Sequence, residues 1–413
     1  MLSAVSSVRS LLLAIFMLMS GAGFMATLLG VRLERAGSSA LTVGIVGTAY
    51  FLGLVLGSTK AGLLVARVGH IRAFAAFVSL FSASTLSYAL FRDPIFWASL
   101  RLIDGLCVAG VYVCLESWLN ERAQEGSRGS VLAAYMIALY LGQAAGQFLL
   151  NISDVKPSLP FIAASILISV SAIPIALTRI DAPSLPSSET LSMRALYAIS
   201  PLGVVGAALT GAMLGAFYSL GAVYARRLGM ELSLIAVFMS TVIFGGVALQ
   251  WPLGILSDRF DRRRVIVIAF AGTLLAGLAT ALTREPGLPL LAFGALFGGL
   301  SFALYPLCVA HANDHLLPDQ RVAASGGLVL TYSAGAAAGP LVAAVFMTAA
   351  GTAGLFLFIS TCAGAALLFG IWRQALTPPV PAEQQQTYQI LPRTTPVSAA
   401  LDPLAPNDPE EVP

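Results

Sequence analysis

Four residues on one stretch of chain carry the first chemical signal. Arg101, Asp104, Tyr112 and Glu116 stand within a mostly apolar run from 94 to 118. A charge at the centre of a membrane helix costs at least ~2.5–3.5 kcal/mol, so such groups must pair or face water. Arg101 and Asp104 are three residues apart and can pair on one helix face. At ~100° per residue, Arg101, Tyr112 and Glu116 fall within about 60° of one another, a polar stripe on an oily helix. A carboxylate that gains and loses a proton beside a fixed guanidinium can couple proton movement to solute binding. A structural ion pair that locks adjacent helices is the alternative, and Glu116, near one end of the run, suits a gate contact equally well.

Uncharged polar residues extend the pattern. Tyr140, Gln143, Gln147 and Asn151 occur at i, i+3, i+7 and i+11, one helical face able to line a cavity or bond neighbouring helices. Tyr305 and His311 flank Pro306, which loosens a helix where freed backbone groups can line a cavity. His311 and His315 have the i, i+4 spacing of a metal pair, but no Glu general base lies between them. A polar helix end is the expected reading there, and no metal or other cofactor is expected.

The elements that must hold these residues follow from composition. Of 413 residues, 57% are apolar and only 10% charged, against ~25% charged in an ordinary soluble domain. Mean hydropathy is +0.85. A soluble enzyme is excluded on these grounds, and a net charge of +3 without a basic cluster gives no nucleic-acid surface. Segments of ~20 apolar residues span a bilayer. Twelve are read: 10–30, 41–65, 73–91, 94–118, 130–151, 158–178, 199–222, 233–256, 265–283, 288–311, 323–349 and 354–372. The first continues to Gly30, longer than the apolar core of a removable signal. An even count puts both termini on one side. The loops of that side carry thirteen basic residues against seven on the other, which places the termini in the cytoplasm of a bacterial inner (plasma) membrane.

The chain reads as a first six-helix bundle (1–178), a cytoplasmic linker (179–198), a second six-helix bundle (199–373) and a tail (374–413). The tail has nine prolines, five acids and one arginine. That composition buries no core of its own and is expected to stay disordered. The four cysteines lie in apolar runs and are expected to act as small hydrophobes.

The halves repeat. Gly62-Leu-Leu-Val-Ala66-Arg67-Val-Gly69-His70-Ile-Arg72 aligns with Gly254-Ile-Leu-Ser-Asp258-Arg259-Phe-Asp261-Arg262-Arg263-Arg264 at an offset of 192. Asn120-Glu121 with Arg128 matches Asn313-Asp314 with Arg321, and Gly142-x-x-x-Gly146 matches Gly335-x-x-x-Gly339, both at 193. Matches in the same order at offsets of 192 and 193 indicate duplication. Tyr218 becomes a cavity candidate because the seventh span should border the central cleft.

The Gly-x-x-x-[Asp]-Arg-x-Gly-x-x-Arg pattern after the second span, with its degenerate copy after the eighth, resembles the signature of the major facilitator superfamily. Glu116-Ser-Trp-Leu-Asn120-Glu121 and Tyr305-Pro-Leu-Cys-Val-Ala-His311-Ala-Asn313-Asp314 look like its YcaD-like branch. The resemblance implies an all-α fold of two pseudo-symmetric six-helix bundles, each of 3+3 inverted repeats, working by alternating access. It implies a cytoplasmic gate at Gly62, Arg67, Gly69, Arg72, Gly254, Asp258, Arg259 and Arg263. Arg101-x-x-x-Gly105 also resembles the superfamily's fourth-helix proton-coupling motif. This chain departs at Ala66, where the family usually has an acid, so the first-half gate lacks that charge. Gly62 and Gly69 are expected to serve close backbone approach.

No phosphate-binding loop, nucleophile elbow or zinc-protease motif occurs, so energy must come from gradients. The expected function is a non-enzymatic, monomeric, proton-coupled secondary transporter of a small-molecule substrate in the lipid bilayer. An uncoupled facilitator and a non-transporting membrane sensor or scaffold are the alternatives.

Overall fold

The computed structural model describes residues 8–123, 127–178, 183, 191–317, 320–376, 378–381 and 384–403, the side chain of residue 154 excepted. Among them every regular element is helical and no strand occurs. Most of the expected linker, 179–182 and 184–190, and the end of the tail, 404–413, lie outside the described residues.

Among the described residues ten stretches are long and apolar enough to cross a membrane, against the twelve expected. The difference has two sources. Arg321–Leu376 counts once although a 3₁₀ turn at Gly351–Ala353 divides it into two helices. His70–Ser87 is apolar on both its buried and its exposed faces, but His70, Arg72 and four serines in only 18 residues dilute its mean hydropathy.

In the first half, α1 (Arg9–Ala22) and α2 (Met25–Arg35) form one broken span. Then come α3 (Ala40–Val68), α4 (His70–Ser87), α5 (Pro94–Arg122), α6 (Arg128–Gln147), α7 (Leu159–Val170) and the short α8 (Ile173–Ala176). A short α9 (Met193–Ile199) precedes the second half: α10 (Pro201–Arg227), α11 (Leu232–Arg259), α12 (Arg262–Leu282), α13 (Leu288–Asn313), α14 (Arg321–Ala350) and α15 (Gly354–Leu376). Local signals set the ends. Asp93 Oδ1 accepts from Phe96 N at 2.8 Å, with Pro94 in the first turn of α5. Gly69 stops α3 at φ +86°, a conformation glycine adopts freely.

The repeat is visible in how helices meet. A Cβ on Gly53 of α3 would lie 2.0 Å from Leu102 O of α5; in the second half a Cβ on Gly245 of α11 would lie 2.1 Å from Ala295 O of α13. Gly142 and Gly146 of α6 press on the backbone of Phe16 and Ser20 of α1, as Gly335 and Gly339 of α14 press on that of Ala208 and Ala212 of α10. Small residues permit such approach, and close packing is what holds helices together where lipid removes the hydrophobic drive. Exposed Leu63, Leu90, Leu177, Trp251 and Leu282 face outward, the inverse of a soluble surface.

The helices alternate in direction. One face of the bundle carries the ends Arg9, Val68, Arg122, Pro201, Arg259, Asn313 and Leu376; we call it the terminus face, and the opposite one the far face. The halves meet directly toward the far face. Thr48 Oγ1 donates to Ala337 O at 2.8 Å, and Ser240 Oγ donates to Ala144 O at 2.9 Å. Gly44 packs on the backbone of Pro340 and Gly47 on Ser219.

Toward the terminus face the described part of the tail intervenes. Residues 386–402 run between the halves, and the 3₁₀ turn Pro396–Leu401 packs on α5 and α14. Composition argued that the tail cannot build its own core. It instead buries Tyr388, Leu391, Ala399 and Leu401 on walls the two bundles supply.

Candidate functional site

A cavity of about 130 Å³ lies between the halves. Tyr50, Arg101, Tyr112 and Gln143 line it from the first half, Tyr218 and Tyr332 from the second. The stripe on α5 divides in an informative way. Arg101 and Tyr112 face the cavity, and the Arg101 guanidinium stands 4.1 Å from the centre of the Tyr50 ring. Asp104 is fully buried on the other side, toward α4. Its two oxygens accept from Ser84 Oγ and Tyr88 Oη at 2.6 Å each, and Arg101 Nη1 lies 3.6 Å away. Asp104 therefore anchors Arg101 and ties α5 to α4, with no face on the cavity. Neither Ser84 nor Tyr88 carries a charge that would have drawn notice in the sequence.

Glu116 is also fully buried, and two of the three hydroxyls on it come from the tail. Tyr135 Oη donates to it at 3.2 Å, Thr394 Oγ1 donates to Oε1 and Thr395 Oγ1 to Oε2. No salt bridge to Glu116 occurs among the described residues, so three hydroxyls and no cation surround this carboxylate.

The expected α6 face divides. Tyr140 and Gln143 line the cavity, and Tyr218 Oη donates to Gln143 Oε1 across the halves at 3.4 Å. Gln147 and Asn151 do not join them. Gln147 Nε2 donates to Gly23 O at 2.9 Å, where α1 and α2 part. The α-helix ends at Gln147, so the 3₁₀ segment Phe148–Asp154 rotates Asn151 out to the exposed surface. Tyr305 sits behind the cavity wall against Tyr332, ring centres 5.3 Å apart. His311 is buried at the end of α13, its ring 4.9 Å from that of His315, away from the cavity. No cluster of metal-ligating side chains occurs among the described residues.

The two copies of the loop motif differ. Arg67 and Arg72 are exposed. No atom lies within 4 Å of a Cβ on Gly62 or Gly69, so neither serves close approach; Gly69 is required by its positive φ instead. The second copy builds a charged cluster around Arg262, which the motif reading passed over for Arg263. Arg262 donates to Asp314 Oδ1 at 2.6 Å, Asp258 Oδ1 at 3.1 Å and Ala310 O at 3.0 Å. Ala66 and His70 stand at the equivalent positions of the first half, which explains why no such cluster forms there. Arg263 turns back to Asp261, whose side chain caps α12. Partial burial raises the Asp261 carboxyl, but Arg263 outweighs it and the group ends below the usual carboxylate range. Arg259 is exposed. Gly254 does lie in a tight contact, its missing Cβ 2.3 Å from the Tyr388 ring of the tail.

Comparison with known proteins agrees with this architecture. The family model described as Major Facilitator Superfamily matches residues 11–250 and 202–401. The "Uncharacterized MFS-type transporter YcaD" of Salmonella enteritidis is 30% identical over 375 residues, covering 90% of this chain and 97% of that protein. Its Escherichia fergusonii counterpart is 31% identical over 323 residues, 77% and 83% of the two chains. Among solved structures, the nucleoside transporter NupG superposes with a TM-score of 0.72 at 15% identity, over 90% and 98% of the chains. A bacterial homolog of the human lysosomal transporter Spinster, inward-facing and unoccupied, gives 0.69 at 14% identity, over 90% and 95%. A multi-pass membrane architecture, paired helix contacts in the two halves and a cavity between the halves thus coincide with the sequence match: this chain belongs to the Major Facilitator Superfamily, among the YcaD-like transporters.

Proposed function

We propose that the protein is a proton-coupled secondary transporter that moves a small solute across a bacterial inner membrane by alternating access. Twelve spans form two bundles, residues 1–178 and 199–373 joined by the linker 179–198, and the terminus face is cytoplasmic. The observation that carries this reading is the cavity lined from both halves, with the two bundles packed directly on one another on its far side. A site shared by two bundles opens to one side or the other as they rock. Arg101, Tyr112, Tyr140, Gln143 and Tyr218 are the solute-facing groups.

Glu116 is the residue assigned to the proton. A hydroxyl can donate to a carboxylate or accept from a carboxylic acid, so the ring of Tyr135, Thr394 and Thr395 serves either protonation state. Asp104 faces a guanidinium, which serves only the ionised form. Reconstitution in proteoliposomes tests the reading, with a solute first found by ligand-induced thermal shift. Uptake driven by an imposed pH gradient is expected in the wild type. Glu116→Gln should keep solute exchange and lose the response to the gradient. Flux that ignores pH in the wild type would leave an uncoupled facilitator.

A further inference from the structure

The tail places one cation in the cleft. The Arg393 guanidinium lies 4.6 Å from the centre of the Phe302 ring, 5.4 Å from Tyr332 and 5.9 Å from Tyr140. Arg393 lines the same cavity as Arg101. Aromatic faces on several sides of a guanidinium form a cation cage. The flanking tail is fastened on both sides. Gln386 donates its N–H to Asp314 Oδ1 at 2.8 Å and accepts from Arg262; Tyr388 N donates to Asp258 Oδ1 at 2.8 Å. Thr394 and Thr395 hold Glu116, and Asn313 Nδ2 donates to Asp402 Oδ2 at 3.4 Å.

Removing the tail from this arrangement leaves a definite chemistry. Arg101 and Asp104 neutralise each other, while Glu116 has no cationic partner among the described residues. The emptied cleft therefore has an aromatic cage and one uncompensated carboxylate nearby. Both features favour a positive guest with an apolar or planar body.

We propose that the cage of Tyr140, Phe302 and Tyr332 is an organic-cation site, and that the chain's own Arg393 occupies it in competition with such a cation. This rests on the reading of the cleft as the solute site and assigns its substrate class. The tail is then a plug: a cation must displace it to bind, and binding frees Glu116 from Thr394 and Thr395.

The test uses the full chain in detergent with benzylguanidinium as probe and benzylurea as its neutral counterpart. Trypsin cleaves the Arg393–Thr394 bond only when that bond leaves the cleft, so release of the 394–413 fragment reports displacement. Benzylguanidinium should accelerate release several-fold and benzylurea should not. A tail seated about nine-tenths of the time weakens apparent affinity about tenfold, so Arg393→Gln should bind the cation about ten times more tightly, while Arg393→Lys should stay near wild type. Thermal melting checks that both variants fold. Equal effects of the cation and the urea, or unchanged affinity in Arg393→Gln, overturn the proposal. Cation binding with tail release but no flux of any solute in proteoliposomes would sink the transport reading and leave the site standing. Solute flux indifferent to the cation would do the reverse.

Discussion

Arg227 and Glu34 form a bidentate ion pair across the two halves, Nε to Oε1 at 2.7 Å and Nη2 to Oε2 at 3.1 Å. It joins the end of α10 to the end of α2 on the far face, beyond the packing of Thr48 on Ala337. Both side chains are partly exposed, so the pair is worth at most about 1 kcal/mol, or ~5-fold in the balance between closed and open far faces. Glu34→Arg should therefore raise maleimide labelling of a cysteine placed at Ala337, in a background lacking the native cysteines, by a few-fold. The double reversal Glu34→Arg with Arg227→Glu should restore protection. Equal labelling in the single and double variants would show that the pair does not latch the halves.

Arg101 and Asp104 make a different prediction because they are buried. Deleting one partner of a buried pair leaves an uncompensated charge and costs about 3–5 kcal/mol. Arg101→Ala should lower the melting temperature strongly. Asp104→Asn keeps hydrogen-bonding capacity toward Ser84 and Tyr88, and in an Arg101→Ala background it should recover much of that loss. A double variant no more stable than Arg101→Ala would mean that the Arg101 loss is one of packing over Tyr50 rather than of charge.

Much of this was legible in the sequence, for physical reasons that can be named. Charges are costly in membrane helices, so Arg101 stands out, and small residues spaced four apart mark close helix packing, so Gly142 and Gly146 are recognised again as Gly335 and Gly339 in a duplicated chain. Cavity residues on regular helices follow from angle alone, which is why Tyr112, Tyr140 and Gln143 were found together. Angle fails where the helix stops: Asn151 was lost because α6 gives way to a tighter turn after Gln147. Partners on other helices had no local signature, so Ser84, Tyr88, Phe302 and Tyr332 were missed. The seat of the tail had no signal in composition, which measures whether a segment can fold alone, whereas its described part packs on walls the bundles supply.

Asp261 offers a pH-dependent test on the terminus face. Its carboxyl is held below its ordinary value chiefly by Arg263, so it contributes stability that is fully present above the unfolded value and is lost as pH falls through the lowered one. Relative to Asp261→Asn, the wild type should melt higher at neutral pH, and the gap should close below about pH 4. A gap that persists in acid would assign the effect to the helix cap, since Asp261 also accepts from Arg263 N at 3.0 Å.

The aligned glycines Gly62 and Gly254 give opposite predictions from one motif. Nothing lies within 4 Å of a Cβ on Gly62, which sits inside α3 at ordinary helical φ. Alanine there removes backbone entropy from the unfolded chain and should stabilise by about 0.5–1 kcal/mol. A Cβ on Gly254 would meet the Tyr388 ring at 2.3 Å, a contact no side chain sustains. Gly254→Ala should push Tyr388 away, weaken the bond from Tyr388 N to Asp258, and speed tryptic cleavage after Arg393 without any added cation. Combining Gly254→Ala with Tyr388→Ala removes the clash, and melting of that pair should return toward the wild-type value. Were Gly254→Ala to leave the tryptic rate unchanged, the ring would not occupy this position in solution, and the seating of the tail over α11 would have to be redrawn.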